Sequence, residues 1–373
     1  MSDAYTFTAA ELMEGLDDLY DNTSYPDDDC GLEDVCQGDV CPLNEGMQFE
    51  AVFIPVLYSV AFIVGVLGNG VLLGVLARSR KSWSVTDNFI LHLGVADILL
   101  LLTLPFQATQ AAQDEGWTFG TPFCKITGTV FTINFYCAIF LLACISLDRY
   151  LSIVHAAQMY SSKKSWVVHV SCLAVWLFSL LLSIPDWYFL EAVGDPLRNI
   201  KTKCVRNYFA SHVSVDNWRL GSRLLYHIVG FLLPSAVLVF CYSCILRRLQ
   251  CGSQGLQKQK AFRVIMAVVV VFFLCWTPYN ITLMVDTLHS NKDCGIRESM
   301  EKAIIVTSSL GYLHCSLNPI LYAFVGVKFR RQLVDILRSL GCKLKTSAQL
   351  RSASSKRSSF WSESGNTSNS IAV

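Results

Sequence analysis

The stretch FILHLGVADILLLLTLPFQATQ, residues 89–110, decides the fold. It contains no Lys or Arg and one carboxylate, Asp97, near its middle. A helix rises about 1.5 Å per residue, so about 20 apolar residues cross the hydrocarbon core of a bilayer. A charged group inside such a run is costly and marks function. Six more runs of this kind lie at 53–77, 123–154, 166–190, 224–246, 264–288 and 303–327. Many contain Gly or Pro, as at Gly65, Gly68, Gly70, Pro105, Pro185, Pro234, Pro278 and Pro319. Membrane helices tolerate these because neighbours re-satisfy the freed backbone groups. The expected fold is an all-α membrane protein, a bundle of seven crossing helices. No internal repeat is visible, which argues against a transporter built from duplicated halves.

Composition agrees. Of 373 residues, 53% are apolar and 16% charged, and mean hydropathy is +0.42, far from the polar surface a soluble domain of this length needs. The net charge of +1 hides an asymmetry: residues 1–77 carry fourteen Asp and Glu and no Lys or Arg. Basic residues cluster after spans one, three and five, at Arg78, Arg80, Lys81, Lys163, Lys164, Arg247, Arg248, Lys258, Lys260 and Arg263. They continue past span seven at Lys328, Arg330, Arg331 and Arg338. The positive-inside rule therefore puts the N-terminus outside and the C-terminus inside. The loop after span four, with Arg198, Lys201, Lys203 and Arg206, runs against the rule and is outnumbered. The start of the chain lacks a basic region followed by an apolar core, so insertion is expected to depend on the first span. Four parts follow: an acidic arm at 1–50, the seven-span body at 51–327, an amphipathic helix at 328–341 and a Ser-rich tail at 342–373. KFRRQLVDILRSL (328–340) has apolar residues at helical spacing between basic ones and is expected to lie on the membrane surface. Cys342 after it is either a palmitoylation site or a free thiol. The tail's low complexity predicts disorder.

Polar groups inside the runs fall into two sets. Asp97 is mid-span and Asp148-Arg149-Tyr150 ends span three on the inner side, whereas Asp186 and Asp286 lie near outer ends. This suits a ligand pocket above a switch. Read in order, the motifs are Asn69 in GNG, Asp97 in LGVADILL, Asp148-Arg149-Tyr150, Trp176, Pro234 with Tyr242, Cys275-Trp276-Thr277-Pro278 and Asn318-Pro319-Ile320-Leu321-Tyr322. Across roughly 50–342 the chain resembles the rhodopsin-like, G-protein-coupled receptors. The resemblance implies that Arg149 pairs with Asp148 at rest and is released when helix six swings away. Pro278 removes a backbone donor and bends that helix, so Trp276 couples ligand contact to the swing. Asn318 and Pro319 loosen helix seven, letting Tyr322 turn towards Tyr242. Asp97 holds either sodium, with Asn134, Asn318 and Ser316 as partners, or a proton; Ala138 stands where a hydroxyl ligand often sits.

Local stretches narrow the likeness. Thr103-Leu104-Pro105, Trp117-Thr118-Phe119-Gly120, DRYLSIVHA (148–156) and His314-Cys315-Ser316-Leu317-Asn318-Pro319 resemble the chemokine receptors. CLAVW (172–176), FLLP (231–234), SLGYLHC (309–315), LYAFVGVKF (321–329) and SSFWSES (358–364) are similar to the CXC group within them. The resemblance implies disulfides Cys124–Cys204 and Cys41–Cys294, with Cys30 and Cys36 spare, and CXC chemokine ligands lacking a Glu-Leu-Arg motif. It also implies an inhibitory-class G protein, leading to calcium release and leukocyte chemotaxis at the plasma membrane. Tyr58, Asp186, Tyr279, Asp286 and Tyr312 become pocket candidates, the two acids meeting a basic chemokine N-terminus. Gln107 and Ser308 stand where many members have Trp and Glu. The acidic arm suits small basic ligands, because its field attracts them over a Debye length. Tyr20 and Tyr25 lie among its acidic residues and are sulfation candidates; Asn22-Thr23-Ser24 is a glycosylation sequon. Tail serines 347, 352, 354, 355, 358, 359, 362 and 364 are candidates for receptor kinases, with arrestin reading the phosphates.

Other classes fit less well. A retinal protein needs a Lys in span seven, and 303–327 has none. No clustered acid, base and nucleophile suggests an enzyme, no cofactor is implied, and nothing suggests nucleic acid. A decoy receptor, which internalises chemokine without activating G protein, is the main alternative. Such receptors usually alter Asp-Arg-Tyr, which is intact here.

Overall fold

The computed structural model describes residues 47–78, 83–155, 164–195, 200–208, 215–250, 256–288, 294–325 and 334. In chain order the elements are α1 (Met47–Arg78), α2 (Val85–Leu101), α3 (Leu104–Ala112), α4 (Gly120–Ile153), α5 (Lys164–Leu182) and α6 (Ile184–Phe189). Strands β1 (Leu190–Asp195) and β2 (Ile200–Arg206) follow, then α7 (Val215–His227), a π-helical turn (Ile228–Leu232), α8 (Leu233–Gln250), α9 (Leu256–Leu288) and α10 (Cys294–Val325). Among the described residues, seven stretches are long and apolar enough to cross a membrane: Ala51–Arg78, Val85–Ala112, Gly120–Ile153, Trp166–Phe189, Asn217–Gln250, Ile265–Leu288 and Ser299–Tyr322. Each overlaps an expected run. The fifth begins earlier than expected, and with the second and fourth it is broken or distorted.

The local causes are readable. Ser84 starts α2 through a capping box: its hydroxyl accepts from the Asp87 amide at 3.1 Å, and the Asp87 carboxylate accepts from the Ser84 amide at 2.8 Å. Span two breaks between α2 and α3 because Pro105, in the first turn of α3, has no N–H for the ladder. The Thr103 hydroxyl donates to the Leu100 carbonyl at 2.7 Å across the break. Span four breaks the same way before Pro185, with the Ser183 hydroxyl on the Ser179 carbonyl at 2.7 Å. In span five the π turn comes just before Pro234, and the Leu233 amide reaches back to Ile228.

Span three is the axis of the bundle. In its apolar window 72% of residues are buried, against 22% for span one. Phe135, Tyr136, Ile139, Leu141 and Leu142 on α4 meet Phe272 and Trp276 of α9 and Leu238 of α8 in one continuous core. Val52, Val56, Val60, Ile63 and Leu67 of α1 face outwards and exposed, as expected for a helix whose outer face is solvated by lipid.

The hairpin between spans four and five is a feature the hydropathy pattern does not reveal. β1 and β2 pair antiparallel with Leu190 opposite Arg206 and Ala192 opposite Cys204. Cys204 is bonded to Cys124, which fastens β2 to the first turn of span three. The preceding loop is pinned too: the Trp117 amide donates to the Thr202 carbonyl at 2.8 Å, and the Thr202 amide to Glu115 at 3.1 Å. Gly116 permits that contact, because its φ is +80° and an added Cβ would sit 2.2 Å from the Thr202 carbonyl oxygen.

Candidate functional site

Three levels of polar side chains run through the bundle, from the hairpin end to the Arg149 end. At the hairpin end, Asp186 on α6 accepts from the Arg206 guanidinium on β2. Burial alone would lower the proton affinity of Arg206, but the Asp186 carboxylate, together with Tyr279 and Tyr208, outweighs this and raises it above the ordinary arginine value. Asp286 on α9 accepts from Arg219 at 3.3 Å and Arg223 at 3.2 Å, both on α7. Tyr136, Asp186, Arg206, Arg223 and Tyr226 line a cavity of about 20 Å³. Asp186 and Asp286, the two acids expected to face a ligand, therefore already hold internal cations.

Beneath lies an aromatic layer. Phe131 of α4 touches Trp276 at 5.3 Å, Tyr279 at 5.5 Å and Tyr312 at 5.0 Å between ring centroids. Tyr58 of α1 joins through Tyr312 at 5.2 Å, and its hydroxyl shares a 2.8 Å hydrogen bond with Ser309. Tyr279 and Tyr312 thus converge on Phe131, with Tyr58 joined through Tyr312, and no sequence motif singled Phe131 out. Trp276 is fully buried, and its indole N–H has no hydrogen-bond partner among the described residues.

The middle level centres on Asp97, which is fully buried. Its carboxylate accepts from Asn134 at 3.1 Å and Asn318 at 2.8 Å, joining spans two, three and seven. Asn69 donates to the Gly65 and Cys315 carbonyls, each at 2.9 Å, which adds span one. Ser316 does not join the Asp97 group as expected: its hydroxyl donates to the Ala61 carbonyl at 2.8 Å. One residue after Cys315, it sits on the helix face towards span one.

At the far end, Asp148 and Arg149 are 3.4 Å apart. Arg149 also donates to the Thr86 hydroxyl in the first turns of α2, a partner the motif alone does not disclose. Tyr242 accepts from the Ser146 hydroxyl at 3.0 Å, while Tyr322 is buried on α10. Tyr150 is half-buried against the core, its ring 5.6 Å from that of Phe240 and its hydroxyl 3.0 Å from His155. Trp176 donates to His92 across spans two and four at 3.2 Å. Pro278 and Pro319 lie inside α9 and α10. Tyr20, Asn22, Tyr25, Cys41, the segment 328–341 expected to be an amphipathic helix (apart from residue 334), Cys342 and the tail serines lie outside the described residues, as does the side chain of Cys294.

The family model of the seven-transmembrane receptors, rhodopsin family, matches residues 68–322. The "C-X-C chemokine receptor type 3" of Homo sapiens is 43% identical over 363 residues, covering 96% of this chain and 95% of that protein. The Bos taurus protein of the same name is 42% identical, covering 97% and 96%. The "C-X-C chemokine receptor type 5" of Homo sapiens is 39% identical over 345 residues, covering 91% of each. The resemblance read from the local motifs therefore extends over nearly the whole chain.

Proposed function

We propose, from the premise that the chain belongs to the rhodopsin family of seven-transmembrane receptors and within it to the chemokine receptors, that it signals the presence of CXC chemokines to an inhibitory-class G protein. It is a receptor, not an enzyme. The hairpin end faces outwards at the plasma membrane and the Arg149 end faces the cytoplasm, where calcium release and chemotaxis begin.

The observation that carries signalling is the state of Arg149. Among its contacts are an ionic neighbour, Asp148, and a neutral hydroxyl, Thr86, on a different span, with Asp87 of that span also close enough to act on its charge. These contacts tie span three to span two, so their exchange for a partner protein would couple Arg149 to a movement of the spans. At the other end, ligand that displaces Arg206 from Asp186 disturbs a cavity also lined by Tyr226, whose ring contacts Tyr279 and through it Phe131 and Trp276. Trp276 and His314 then lead to the Asp97 level. The acidic arm supplies attraction at long range. Receptor kinases and arrestin act on the tail.

The test is a panel of purified CXC chemokines on cells expressing the chain, reading cyclic-AMP synthesis beside ligand uptake. A fall in cyclic AMP with a subset of ligands is expected. Uptake without any second-messenger change would make the protein a scavenger and end this reading.

A further inference from the structure

His314 is fully buried, and neither of its ring nitrogens has a hydrogen-bond partner among the described residues. A neutral imidazole left so is an uncompensated desolvation cost. Its ligating atom lies with a carboxylate oxygen of Asp97 and the Cys315 sulfur in one group, all within 4.8 Å of one another. Asp97 and Cys315 are also fully buried. The Asn134 side-chain oxygen is 3.6 Å from the same sulfur, so a fourth donor is adjacent.

We propose that Asp97, His314 and Cys315 form a binding site for a zinc ion between spans two and seven. Imidazole nitrogen, thiolate sulfur and carboxylate oxygen are the ordinary protein donors to zinc, and nitrogen and sulfur are poor ones for sodium. Zinc bonds of about 2.0–2.3 Å put neighbouring donors roughly 3.3–3.7 Å apart. The three atoms therefore need to close by no more than about 1.5 Å. As the sulfur–zinc bond forms, the Cys315 thiol releases its proton to water. One dication with one thiolate and one carboxylate leaves no net charge, as a low-dielectric interior requires. Asp97 keeps its bonds to Asn134 and Asn318 on its remaining lone pairs. The ion would thus clamp span two to the segment just before Pro319 and oppose movement of Tyr322.

The experiment uses the purified full chain with no ligand, equilibrated with cobalt(II) as a spectroscopic stand-in. One cobalt per receptor is expected, with a thiolate-to-metal charge-transfer band. Cys315→Ser should abolish the band, and His314→Gln should weaken binding at least tenfold. Cys275→Ser and Cys137→Ser, at other buried thiols, should leave it intact and show that thiol loss as such is tolerated. No band in the unaltered chain, or a band that survives Cys315→Ser, would overturn the site. Because no chemokine is involved, the result is independent of whether the chain signals.

Discussion

At the level of single residues, the central feature is that charged groups in the bundle are met by specific and modest partners. Arg149 is mostly buried, and Thr86 supplies it with a neutral acceptor from another span. A hydrogen bond to a charged group contributes about 1.5–3 kcal/mol net. Thr86→Val should therefore raise ligand-independent nucleotide exchange by about ten- to a hundredfold, measured on membranes with purified G protein. An unchanged basal rate would remove Thr86 from the resting lock. Arg149→Ala should abolish exchange while sparing chemokine binding; retained signalling would refute the switch assignment. Asp148 and Arg149 are adjacent, so their pairing could be read from the chain alone. Thr86 lies 63 positions away, and nothing in its local sequence marks it.

Whole elements show where prolines and close contacts shape the spans. Gly68 of α1 faces span seven, and an added Cβ would lie 2.7 Å from the Pro319 ring. That ring is rigid, so Gly68→Ala should destabilise the protein by about 1–3 kcal/mol. Gly70→Ala, where a Cβ meets nothing within 4 Å, should be close to neutral. Thermal unfolding of the two variants in the same detergent checks the contrast. The hairpin is a second case. Cys124–Cys204 closes a loop of 80 residues, and its loss by Cys124→Ser should cost about 2–5 kcal/mol. Chemokine binding should fall with it, since β2 also carries Arg206, the partner of Asp186. Wild-type affinity in that variant would separate the hairpin from the pocket. Hydropathy located all seven spans, yet it is blind to a strand pair whose residues are mixed in polarity.

For the molecule as a whole, the charge asymmetry and the bundle act together in the proposed function. Replacing both Tyr20 and Tyr25, proposed to carry sulfate, by Phe should remove negative charge and weaken chemokine binding, with the deficit shrinking as salt rises. The reason is that the Debye length falls from about 10 Å at 0.1 M to about 3 Å at 1 M. Equal affinity at low salt would take the two tyrosines out of recognition. The number of spans and their order were legible from the chain, because membrane crossing imposes a length and polarity that composition must obey. The switch motifs are short and contiguous, so they survive as strings. Tertiary structure alone decided which groups satisfy one another. It turned Ser316 to Ala61, paired Asp186 and Asp286 with arginines of other elements, and gathered Tyr279 and Tyr312 around Phe131, with Tyr58 joined through Tyr312. The physical reason is that a helix's direction and burial follow from its own residues, whereas its rotation about its axis is set by the neighbours it packs against.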